Sequence, residues 1–121
     1  MEGLNDAALI RVAEVFKALA EPRRLKLLNS LRDGEKNVSE LVALTDSTQA
    51  NVSKHLSVLL QAGLIQREAR GTAAYYRMAN DSTYQLCDIV CGQLVKQAET
   101  ALALQQLLQQ GQLTGGPDKP V

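Results

Sequence analysis

Tryptophan is absent from this chain, phenylalanine occurs once, and Phe, Trp and Tyr together make up 3% of its 121 residues. Proteins that grip single-stranded nucleic acid stack bases on aromatic rings, so this composition excludes that mode of binding. Histidine occurs once and cysteine twice. No Ser/His/Asp or Cys/His nucleophilic arrangement is readable, and no Gly-rich phosphate loop, so the chain is expected not to be an enzyme. Two cysteines are too few for a disulfide framework and suit free thiols, ligands or redox sensors in a cytosolic protein. No run approaches the ~20 apolar residues that span a bilayer. Met1-Glu2-Gly3-Leu4-Asn5-Asp6 lacks the basic flank of a secretory signal. These absences predict a cytoplasmic protein with no membrane partner.

What is there suits one packed domain. The hydrophobic fraction is 45% and the charged fraction 21%, values of a globular protein rather than a disordered one. The domain is expected over residues 7–110, with 111–121 as a flexible tail carrying Gly115, Gly116 and Pro117. Net charge is zero, but the charges are uneven. Residues 47–77 hold Lys54, Arg67, Arg70 and Arg77 against Glu68 alone, while both flanking segments are slightly acidic. A neutral chain with a basic middle presents a basic face without attracting polyanions by bulk charge.

Apolar residues at helical spacing predict a first helix over Ala7–Ala20, with Leu9, Val12, Ala13 and Phe16 on one stripe. Pro22 suits the first turn of a second helix carrying Leu25, Leu27, Leu28 and Leu31; Glu21 is a poor cap for it, and Gly34 is expected as its left-handed C′ residue. Asn37-Val38-Ser39-Glu40 has capping-box form and opens a short helix through Leu44. Thr45-Asp46-Ser47 makes a turn, and Thr48 caps a fourth helix through Val52, Leu56, Leu59 and Leu60, closed by Gly63. A short helix, a tight turn and a longer helix form the helix-turn-helix pattern. Two strand-length runs follow, Leu64–Ala69 and Ala73–Met78, joined by Arg70-Gly71-Thr72 as a hairpin wing. Asn80-Asp81-Ser82 offers caps to a long last helix reaching Gln110. The fold class is therefore mainly α with a small β-hairpin (α+β): a winged helix-turn-helix of five helices and a two-stranded wing, in the order ααααββα.

On a helical wheel Val52, Leu56 and Leu59 define the buried face of the fourth helix. Ala50, Lys54, Ser57 and Gln61 lie opposite, flanked by Asn51 and Ser53. The N-terminal half thus offers Gln49, Asn51, Ser53 and Lys54 around small Ala50. Amides pair with adenine, Lys with guanine or phosphate, and Ala meets a thymine methyl in the major groove. Arg67, Arg70 and Arg77 on the wing would hold the phosphate backbone. His55, at the edge of the buried stripe, has two readings: a phosphate contact or a boundary residue that packs. The rival to DNA binding is a winged helix that docks only on protein.

Ala18-Leu19-Ala20-Glu21-Pro22-Arg23-Arg24-Leu25, Val38-Ser39-Glu40-Leu41, Ser53-Lys54-His55-Leu56, Gly63-Leu64-Ile65 and Gly71-Thr72-Ala73-Ala74-Tyr75-Tyr76-Arg77 resemble the ArsR/SmtB family of bacterial regulators. The resemblance spans roughly residues 7–95. It implies a homodimer built from the first and last helices, which binds a palindromic operator in double-stranded DNA and is released by an effector. It carries DNA contacts onto Thr48, Gln49, Ala50, Asn51, Ser53, Lys54 and His55 and onto the wing at Arg70, Gly71 and Thr72. Ser39, at the start of the short helix, joins these candidates, as do Arg67 and Arg77.

The chain departs from the family's metal sensors. Val42-Ala43-Leu44 stands where their third helix has a Cys-x-Cys pattern, and the last helix lacks the histidines of their zinc site. No cofactor is assigned. Cys87 and Cys91 remain, one helical turn apart beside the Leu86, Val90 and Leu94 stripe. The effector that releases the operator is expected to act at this pair, by chelation of As(III), Sb(III) or another thiophilic ion or by oxidation or reaction with sulfur species; the alternative is that both cysteines only pack as small buried hydrophobes.

Overall fold

A computed structural model of the chain describes residues 2–111. Its elements are α1 (Asp6–Leu19), α2 (Pro22–Ser30), β1 (Lys36–Asn37), α3 (Val38–Thr45), α4 (Gln49–Gln61), β2 (Ile65–Arg70), β3 (Ala73–Met78) and α5 (Ser82–Gln109). All five helices and the hairpin match the sequence pattern to within a residue or two. The expected tail lies outside the described residues, Gly111 excepted. The chain divides into two units, one ending at Asp81 and the other starting at Ser82. No helix among the described residues is long and apolar enough to cross a membrane.

Helix boundaries follow from their caps. Asn5 starts α1 by accepting from the Ala8 amide at 2.9 Å. Glu21 was expected to cap α2 poorly, yet its carboxylate accepts from the Arg23 amide at 3.0 Å, and Pro22 supplies the preset first turn. That backbone hydrogen bond, with the neighbouring cations, holds the Glu21 carboxyl below its usual range. Gly34 is not the C′ residue of α2, which ends on Leu31 as its cap; Gly34 lies three residues beyond, at φ +134°. The capping box at α3 is complete: Asn37 accepts from the Glu40 amide, and Glu40 accepts from the Asn37 amide, each at 2.9 Å.

The sheet has three strands, not two, in the antiparallel order β1-β3-β2. Lys36 and Asn37 pair with Tyr76 and Tyr75. A strand of two residues shows no alternation, so nothing in the sequence marks it. The hairpin turns on Gly71 and Thr72, with Arg70 opposite Ala73. Gly71 sits at φ +62°, the conformation that a two-residue hairpin loop with Gly first requires.

The core of the first unit is aliphatic. Leu27, Leu28 and Leu31 of the α2 end, Leu41 of α3, and Val52, Leu56 and Leu59 of α4 are buried together with Ile65 and Tyr76 of the sheet. α1 buries only its last turn, Ala18 and Leu19. α5 runs for 28 residues, none of them fully buried.

Candidate nucleic-acid interface

Two short connections fix how α4 is presented. α3 ends on Asp46 in the left-handed conformation (φ 49°, ψ 48°), its amide donating to the Val42 carbonyl. Asp tolerates this conformation better than most non-glycine residues. Two residues later Thr48 caps α4, its hydroxyl accepting from the Asn51 amide at 3.1 Å. Beneath the turn, the Thr45 hydroxyl donates to the Leu41 carbonyl at 2.6 Å. Lys26 of α2 donates to the Thr45 carbonyl at 3.3 Å, satisfying a free carbonyl at the end of α3. The helix-turn-helix is therefore clamped by α2 as well as by its own turn.

With Val52, Leu56 and Leu59 facing the core, Thr48, Gln49, Ala50, Asn51, Ser53 and Lys54 are all exposed. They form a continuous outer ridge over the N-terminal half of α4. Ser39 is exposed in the first turn of α3. The ridge mixes amide donors and acceptors, the hydroxyls of Thr48 and Ser53, the Ala50 methyl and one ammonium, a set suited to the edges of base pairs.

His55 does not join the ridge. It is 6% exposed, and its Nδ1 lies 3.3 Å from Nη1 of Arg24. A guanidinium has only donors, so Nδ1 accepts and the ring is neutral with its proton on Nε2. Burial pushes its pKa down, and the Arg24 charge pushes it further. Of the two readings of this residue, packing describes where it sits. Arg24 itself carried no local signal: its partners are the Ala18 carbonyl (2.6 Å), the Lys17 carbonyl (3.1 Å) and a histidine 31 residues away.

The wing is less basic in space than along the chain. Arg70 forms an ion pair with Glu35 at 2.6 Å and a second with Glu68 at 3.2 Å, and its guanidinium lies 4.6 Å from the centre of the Tyr75 ring. Arg77 meets the same Glu68 at 3.1 Å. These partners hold Arg70 above its usual range and the Glu68 carboxyl below its own, Arg70 acting first on Glu68. Glu35 lies outside the basic stretch in sequence and reaches the wing only through the fold. Arg67 makes no ion pair among the described residues, so Arg67 and Lys54 are the cations of this face left open to a phosphate. Exposed pairs of this kind are worth ~1 kcal/mol or less, so Arg70 and Arg77 exchange partners at little cost. Gly71 and Thr72 are exposed at the wing tip.

On α5, Cys87 is half-buried and Cys91 exposed. No group of three or more His, Cys, Asp and Glu side chains among the described residues is placed to hold a metal ion.

Residues 21–67 match the family described as bacterial regulatory protein, arsR family. The arsenical resistance operon repressor of Bacillus subtilis is 34% identical over 82 residues, covering 67% of this chain and 78% of the repressor. The transcriptional regulator Rv0324 of Mycobacterium tuberculosis is 37% identical over 93 residues, 74% of this chain; the aligned part is 41% of that protein's length. Among solved structures, the homodimeric winged helix-turn-helix DNA-binding domain of Mb0332 from Mycobacterium bovis, a possible ArsR-family regulator, superposes with a TM-score of 0.70 at 34% identity. It covers 83% of this chain and 95% of that domain.

Proposed function

The chain belongs to the arsR family of bacterial regulatory proteins, and on that premise we propose that it is a homodimeric, sequence-specific DNA-binding repressor. One observation carries the reading: the amide-bearing ridge of α4 stands fully exposed while the opposite face of the same helix is locked into the core. In this reading Gln49, Asn51 and Lys54 address base edges in the major groove, and Ala50 lets the helix approach closely. Ser39, Thr48 and Ser53 touch the sugar-phosphate backbone beside it. Arg67, Arg70 and Arg77 with Gly71 and Thr72 lay the wing along the neighbouring backbone.

Dimerisation follows the same logic. Ile10 and Phe16 on α1 are 61% and 51% exposed, and α5 leaves Ile89, Leu94 and Leu102 more than half exposed. Apolar surface of this extent on a small chain calls for cover. A second copy supplies it with the same two helices, and a two-fold pair of ridges suits a palindromic operator. Cys87 and Cys91 lie among the α5 residues so covered, and we assign them to packing rather than to an effector site.

Fluorescence anisotropy with a duplex from upstream of the protein's own gene, against a random duplex, tests the proposal. The own-promoter duplex is bound more tightly, and affinity falls steeply with salt as counterions return to the DNA. Lys54→Glu removes a favourable contact and adds repulsion, weakening binding by about 100-fold, on the scale of a good base or phosphate contact reversed in sign. Equal binding to both duplexes, or a Lys54→Glu variant that binds normally, refutes the reading. Arsenite, cadmium or polysulfide leaves the complex intact; release that disappears in the Cys87→Ser/Cys91→Ser double variant replaces packing by thiol sensing.

A further inference from the structure

We propose that Arg24 is a positioning residue for DNA reading: its guanidinium ties the C-terminal end of α1 to neutral His55 in the middle of α4, and so sets the angle at which the ridge is offered. The proposal rests on the DNA-binding reading above and deepens it. Lys17 and Ala18 belong to the last turn of α1; Arg24 donates to the carbonyls of both, the Lys17 carbonyl also accepting from the Ala20 amide that caps the helix. Its remaining arm reaches the one polar side chain on the inner face of α4. Lys54 adjoins His55 in the chain and Asn51 lies one turn before it, so a rotation of α4 at His55 displaces both ridge residues. A planar guanidinium with five donors spans these three acceptors at once, whereas a lysine ammonium, a compact point charge, does not.

The link has a protonation state built into it. His55 is the only histidine of the chain, so it is the only side chain whose ordinary pKa falls between pH 5 and 8. The charged groups around it are Arg24, Arg23 and Glu21 of α2, Lys54 of α4, and Lys26 and Asp46 around the concavity that it lines. Cations outnumber carboxylates there. Once protonated, Nδ1 has no lone pair for Arg24 and meets a like charge instead, and the tie opens. A histidine aimed at a DNA phosphate behaves in the opposite way, because protonation strengthens its contact. The two roles therefore predict opposite slopes.

The test is anisotropy with the own-promoter duplex at constant salt from pH 7.5 to pH 5.5, with circular dichroism confirming that each variant stays folded. Wild-type affinity drops by less than tenfold over this range, and most of the drop falls at its acid end, because burial and then the Arg24 charge hold His55 below its ordinary pKa. His55→Asn keeps an acceptor oxygen near the place of Nδ1 but does not titrate; its affinity no longer falls toward pH 5.5. Arg24→Lys keeps the charge, breaks the three-way span and binds about tenfold more weakly at pH 7.5, the scale of one charged hydrogen bond. Tighter wild-type binding at low pH, an unchanged slope in His55→Asn, or a folded Arg24→Lys with full affinity overturns the proposal. Failure of the wild type to prefer its own promoter at pH 7.5 is a different result and overturns the DNA-binding reading first.

Discussion

The segment ending at Asp81 and the helix starting at Ser82 treat their apolar residues in opposite ways. In the first, Leu41 and Leu59 are 0% exposed, and leucines of three helices close over one another within a single chain. In the second, none of 28 consecutive helical residues is fully buried, and Ile89 and Leu94 stand 63% and 59% exposed. A solitary helix in water draws little stability from hydrogen bonds alone, so α5 depends on whatever covers it. α1 is divided between the two patterns: Ala18 and Leu19 are buried, while Ile10 and Phe16 are not. In the proposed function, reading and assembly belong to different parts of the chain: the proposed reading face is anchored by a core that one chain completes, and the proposed assembly face is left open for a second copy.

The sharpest way to break that contrast is Leu94→Glu. A carboxylate in the middle of the exposed α5 stripe opposes its burial against a second chain. Sedimentation equilibrium is expected to show a monomer, and own-promoter affinity to fall about 100-fold or more, because two linked ridges become one. The first unit should keep its helical circular dichroism. A variant that remains dimeric and binds normally removes α5 from the assembly surface.

Leu59→Ala probes the other side. Truncating a leucine with no exposed surface should cost about 2–5 kcal/mol of unfolding free energy, read from denaturant midpoints. The same truncation at Leu102, 55% exposed, should cost little at low protein concentration and more as concentration rises. Equal, concentration-independent losses at both positions would erase the distinction between the two regions.

Much of this architecture was legible before any coordinates because it is local. The spacing of Val52, Leu56 and Leu59 reports a helical period, and that period is the buried stripe observed. Asn37 with Glu40, and Thr48 with Asn51, are caps that close within three residues. What escaped is what the fold brings together from afar. Glu35 neutralises Arg70 from 35 positions away, so a charge count along residues 47–77 overstated how basic the wing is. His55 lies one position from Leu56, where a helical wheel leaves burial undecided, and Arg24 settles it from another helix. β1 was invisible because two residues carry no period. Glu21 is a lesson about chemistry rather than distance: a side chain longer than the usual caps still reached the Arg23 amide.

The smallest effect concerns the entry to the helix-turn-helix. Asn37 belongs to two structures at once, as the last residue of β1 and as the N-cap of α3. Asn37→Ala leaves the strand pairing with Tyr75 available, because that pairing uses the backbone, but removes the side-chain oxygen that accepts from the Glu40 amide. The expected loss is about 1 kcal/mol of stability, seen as a modest fall in the thermal midpoint. Since Lys26 still holds the far end of α3 through the Thr45 carbonyl, the ridge of α4 should keep its place and operator affinity its value. A loss of affinity larger than the loss of stability would mean that the position of the reading helix depends on both ends of α3, and the first unit would then be less rigid than its core implies.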